Sequence, residues 1–168
     1  MALTGNPLRD IYDGVWTMLE DATQSDWATK INSNNRIKFS ADAEDILSWE
    51  VDSVPEVAEA AVVIADLKPA DRPASSSQLL VVQWEVWIRR GRSAHATFLD
   101  IQWETYKALL NWEEKLKAVL VDGTNYYLRN CDTLSVQQSI LTGRSVKGWR
   151  AAWVGDCDCW FQHSALVS

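Results

Sequence analysis

QLLVVQWEVWIRR, residues 78–90, sets Leu80, Val82, Trp84, Val86 and Ile88 at every second position. Gln83, Glu85 and Arg89 fall between them, with Trp87 among the polar set. A period of two places successive side chains on opposite faces of a strand, so this stretch predicts a half-buried β-strand. Its partners follow from the same pattern. VAEAAVVIADL (57–67) is apolar and rich in β-branched residues, and predicts a second strand. In WRAAWVGDCDCWF (149–161), Trp149, Ala151, Trp153, Gly155, Cys157, Cys159 and Phe161 share one parity, a near-continuous apolar face. KPADRPASSS (68–77) joins the first two strands through a polar, proline-bearing loop.

Helices frame these strands. Asn6 is a good N-cap, Pro7 suits the first helical position, and Leu8, Ile11, Tyr12, Val15, Trp16 and Leu19 recur at helical spacing. Gly14 lies inside this helix and allows a close approach by a neighbour. TQSDW ends the helix, although Trp27 and Ile31 extend its apolar stripe. A long helix is predicted over 97–120, with Phe98, Ile101, Leu109, Trp112 and Leu116 as the buried stripe, widened by Trp103, Tyr106 and Leu110. An arc that wide predicts packing against a sheet and against something else besides. NRIKF predicts a short strand, and YYLRNCDTLSVQQSIL reads as a strand interrupted near Asn130–Asp132. The order predicts a single α+β domain over residues 1–168. An antiparallel or mixed sheet of about four to six strands carries the N-terminal helix and the long helix.

Composition narrows function. The chain has 168 residues, enough for a core without cross-links, and a formal net charge of −7. Neutralising phosphates takes lysine and arginine, so this acidity argues against a sequestering nucleic-acid binder. No apolar run approaches the roughly 20 residues of a membrane span, and nothing resembles a signal peptide. Ten tryptophans suit either a bulky core or an assembling surface. Of Trp84, Trp87, Trp103 and Trp112, Trp87 is the one expected at the surface, because it opposes the apolar face of its strand. The stretch 42–56 carries Asp42, Glu44, Asp45, Glu50, Asp52 and Glu56 with no basic residue, and predicts an acidic loop with a short strand around 46–51. Arg89, Arg90 and Arg92 form a basic turn.

The cysteines invite a chemical reading. Cys157 and Cys159 stand one residue apart, His163 shares their parity, and Cys131 lies on the preceding strand segment. Zinc sites usually space their cysteines by two to four residues, and a single CxC lacks the second pair. Asp156 and Asp158 would raise a neighbouring thiol pKa rather than activate it. A core strand with small buried thiols is the favoured reading, with no catalytic residue and no cofactor implied. A metal-binding or thiol-dependent protein using Cys131, Cys157, Cys159 and His163 is the alternative. A third reading is an accessory module that binds an acidic or aromatic partner through its tryptophans.

The layout resembles the tail terminator (tail-completion) proteins of long-tailed bacteriophages. NPLRDIYDGVWTMLE matches their N-terminal amphipathic helix, 57–67 and 78–90 their strand pair with a long loop, and 97–120 the helix across the sheet. GRSVKGWRAAWVGDCDCWF is similar to their Gly-Trp turn and long last strand. Head–tail connector proteins share much of the layout. The resemblance implies a non-enzymatic virion component at the tail–head junction, assembled in the host cytoplasm. It implies a homo-oligomeric ring, commonly a hexamer, on the tail tube protein. Such a ring ends tube polymerisation and meets a head-completion protein while DNA passes through. A ring needs unlike patches on its two sides. The acidic stretch with Asp42, Glu44 and Asp45 is expected to meet Arg89, Arg90 and Arg92 of a neighbour, with Trp87 at the contact. Arg89→Glu with Arg90→Glu is then expected to leave the monomer folded and weaken assembly.

Overall fold

The computed structural model describes residues 6–38, 57–69, 77–91, 95–120, 126–131, 135–142 and 147–162. Helix α1 (Pro7–Glu20) starts where Asn6 Oδ1 accepts the backbone N–H groups of Leu8 at 3.1 Å and Arg9 at 3.3 Å. It ends at Asp21, whose Oδ1 accepts the Thr23 N–H and hydroxyl and turns the chain. Trp27 and Ile31 therefore reach the core from a separate short helix, α2 (Trp27–Lys30), and the residue after it. A 3-10 turn (Ser33–Asn35) leads into β1 (Arg36–Ile37).

The sheet has six strands among the described residues. They are β1, β2 (Glu59–Pro69), β3 (Ser77–Gly91), β4 (Tyr126–Cys131), β5 (Ser135–Thr142) and β6 (Lys147–Gln162). β1 pairs parallel with β2, and every other pairing is antiparallel, so the sheet is mixed. β3 and β6 form its centre, paired from Ser77–Gln162 to Gly91–Gly148. Because β3 occupies one side of β6 along this whole length, β4 and β5 both lie on its other side. They are the two halves of the interrupted strand read from the sequence. β2 and β3 run into both ends of the expected 68–77 loop, whose middle lies outside the described residues.

One sheet face is closed by helices α1, α3 (His95–Leu109) and α4 (Trp112–Leu120). Large and small residues alternate across the central pair on that face. Ile88 faces Ala151, Val86 faces Trp153, Trp84 faces Gly155 and Val82 faces Cys157. All eight are buried. The Trp84 indole lies over Gly155 and meets Trp112 edge-on, with centroids 5.0 Å apart at 79°. Gly14 has the matching role in α1, where an added Cβ would stand 2.8 Å from Leu116 Cδ2.

The long helix expected over 97–120 is two helices. Asn111 takes φ 56, the left-handed region that asparagine tolerates better than other side-chain-bearing residues. α3 stops before it and α4 begins after it, with the Lys115 N–H donating to Asn111 O at 3.2 Å. The break brings Trp112 and Leu116 into the same core as Phe98, Ile101 and Leu109.

Candidate assembly surface

Three surfaces remain after the core is assembled. The first is the sheet face away from the helices, where Glu59, Gln83, Glu85, Trp87, Arg89 and Asp156 stand. Arg89 lies directly across from Glu59, and its Nε and Nη2 donate to Glu59 Oε2 at 2.9 and 2.8 Å. The arginine is only 8% exposed, so its charge is engaged within its own subunit. This corrects the expectation that Arg89 is held ready for a neighbour. Reversing it would set two carboxylates against each other in a poorly solvated place and destabilise the monomer as well as any assembly. Gln83 Nε2 donates to Asp156 Oδ1 across strands at 3.1 Å, and the Trp87 indole N–H donates to Glu85. Trp87 stands on this outer face as expected and is half-buried there, whereas Trp103 is the more exposed of the four tryptophans considered. Arg90 is also half-buried, whereas Asp42, Glu44, Asp45 and Arg92 lie outside the described residues.

The second surface is the outer side of α3 together with Leu110 in the turn that follows it. Leu99, Trp103, Tyr106 and Leu110 are 45%, 59%, 43% and 47% exposed. The sequence reading placed Trp103, Tyr106 and Leu110 on a widened buried stripe, and the structure corrects it. α3 carries two apolar arcs, and only the one through Phe98, Ile101, Ala108 and Leu109 enters the core. The signal was legible in spacing: 99, 103, 106 and 110 form a helical stripe of their own, on a different arc from 98, 101 and 109. Trp103 and Tyr106 stack with centroids 5.6 Å apart at 20°. With Leu99 and Gln102 they line a shallow depression of about 270 Å³ that reaches the buried Trp153.

Polar contacts hold α3 in this setting. Glu104 Oε1 pairs with Lys107 Nζ at 2.8 Å, and its Oε2 accepts the Asp26 N–H at 2.7 Å. The Lys107 bond and the Asp26 N–H hold the Glu104 carboxyl below its usual pKa, outweighing desolvation. At the α3–α4 corner, Lys115 Nζ donates to Ala108 O at 2.9 Å, and burial pushes its pKa down.

The third surface is the pair of sheet edges, which are unlike. β1 covers β2 only at Ala60 and Ala61, so the outer edge of β2 from Val62 to Pro69 has no strand beside it among the described residues. On the far side, among the described residues, the interrupted β4–β5 strand is paired only through β6.

The cysteines fall as a core strand predicts at one position. Cys157 is completely buried, with Cys131 beside it in register and Leu128 beside Cys159. His163 lies outside the described residues, as do the side chains of Cys131 and Cys159. Among the described residues, no group of three His, Cys, Asp or Glu side chains is placed to hold a metal ion. No described helix is long and apolar enough to cross a membrane. No protein-family model matches this chain, and neither does any curated protein sequence.

Proposed function

We propose that this chain is a structural assembly subunit: a tail terminator that closes a ring on the tail tube of a long-tailed phage. In this reading the ring ends tube growth and joins tail to head while DNA passes through. The observation that carries the proposal is the pair of unlike sheet edges. An open edge is a template for strand addition. Joining the β2 edge of one copy to the β4–β5 edge of the next is a head-to-tail contact, which closes into a ring or runs into a filament. The net charge of −7 suits a lumen that DNA slides through without adhering. Arg90 and Arg92, facing the acidic stretch with Asp42, Glu44 and Asp45 of a neighbour, would set register.

Native mass spectrometry combined with amide hydrogen exchange tests the reading. A closed oligomer in which residues 62–69 and the β4–β5 edge are both protected is the expected result. A closed oligomer in which both edges exchange as freely as in the monomer would refute the strand-joined ring.

A further inference from the structure

We propose that the outer face of α3 is a two-fold docking surface for a second copy of this chain, helix against antiparallel helix. The proposal does not rest on the ring reading, because the ring uses head-to-tail edges and this contact is isologous.

Three observations carry it. The first is spacing. Leu99, Trp103, Tyr106 and Leu110 recur at intervals of four, three and four, the seam of a two-helix contact. In an antiparallel pairing, Leu99 meets Leu110 of the second copy and Trp103 meets its Tyr106, so the stripe is complementary to itself.

The second is charge. At about 100° per residue, Asp100 and Lys107 flank the same side of the stripe, one near each end. A two-fold axis between Trp103 and Tyr106 preserves that side. It carries Asp100 to within two residues, about 3 Å along the axis, of the position opposite Lys107 of the second copy. The symmetry makes the pair twice. A parallel two-fold arrangement would carry the second copies of Asp100 and Lys107 to the opposite side of the seam and form neither pair, so the charges favour the antiparallel one.

The third is area. From their exposures, the four side chains leave on the order of 400 Å² of apolar surface, within the range of the largest patches on monomers, which are often functional. Two copies would cover about 800 Å². At the usual apolar share of an interface, this corresponds to roughly 1,200–1,400 Å² in total, enough for a specific if modest dimer. Trp103 is the natural anchor, being the most exposed of the four and stacked in place by Tyr106.

Sedimentation equilibrium at sub-millimolar concentration tests the contact. The expected species is twice the 19.0 kDa chain mass. Where rings also form, the contact doubles the ring mass. Trp103→Glu is expected to halve the observed mass, with association at least about 30-fold weaker and the circular dichroism of the fold retained. Asp100→Lys and Lys107→Glu each weaken pairing when alone, because each sets like charges together; Lys107→Glu also removes the partner of Glu104 in its own helix, so its urea midpoint is measured beside its mass. Mixed one to one, they form a heterodimer in which both charge pairs are opposite. Failure of the mixture to recover the dimer overturns the antiparallel register. A wild-type chain whose mass Trp103→Glu leaves unchanged overturns the surface itself. Loss of closed rings with the two-fold mass intact would instead count against the ring alone.

Discussion

Gly155→Ala is a one-carbon change that probes the centre of this fold. Gly155 lies on β6 directly opposite Trp84, and the indole occupies the space a side chain would fill. An added Cβ would stand 2.9 Å from Trp84 Nε1, with Cε2 and Cζ2 closer still. The indole has little room to retreat, being fully buried and set edge-on against Trp112. Replacing glycine in a strand would by itself stabilise by about 0.5–1 kcal/mol through the unfolded chain. Overpacking costs about 1–3 kcal/mol, and disturbing the aromatic pair about 0.5–1.5 kcal/mol more. The net expectation is a loss of about 1–3 kcal/mol, or roughly 2–4 °C in Tm for each kcal/mol. Urea unfolding followed by far-UV circular dichroism measures it. Trp84→Phe is the control: combined with Gly155→Ala, it should cost at least about 0.5 kcal/mol less than the two changes added separately. A Gly155→Ala midpoint at or above the wild-type value would refute the assignment of Trp84 to this space.

Arg89→Glu is expected to destabilise the isolated chain by about 2 kcal/mol or more, because it faces Glu59 from a site 8% exposed. A urea midpoint equal to wild type would return Arg89 to the surface. Glu104→Gln removes a carboxylate whose folded pKa is depressed by Lys107 and the Asp26 N–H. A depressed pKa contributes stability above the unfolded carboxylate value of about 4.3, and that contribution is lost as pH falls through the folded pKa. The variant should therefore be weaker by about 1 kcal/mol at neutral pH and match wild type in acid, as read from urea midpoints across pH. At Asn111, with φ 56, alanine should cost about 1 kcal/mol and glycine should be neutral or slightly stabilising, a difference visible in thermal unfolding.

Contacts between near neighbours in the chain were legible in advance. The Asn6 cap, Pro7 at the first helical position and the alternation of 78–90 and 149–161 each concern residues a few positions apart. Their physics is local: cap donors, a fixed φ and a period of two. Gly14 belongs here in part, since a small residue on a buried helix face announces a close approach without naming Leu116 as the neighbour.

The errors share one cause. Periodicity says which residues share an arc, but not which of two apolar arcs meets a partner. α3 has both, and packing against α1 and β6 decided that Phe98, Ile101 and Leu109 go inward while Trp103 and Tyr106 stay out. The same holds for charge. Arg89 looked like part of an exposed basic turn until strand pairing set Glu59, thirty positions earlier, directly across from it. Short-range spacing alone was enough for the α+β class, the first helix and the faces of the central strands. The break at Asn111, the pairing of Arg89, the two unlike sheet edges and the exposed aromatic stripe were settled by the fold instead. Those depend on which distant segments meet, and the energy of a meeting belongs to both partners at once.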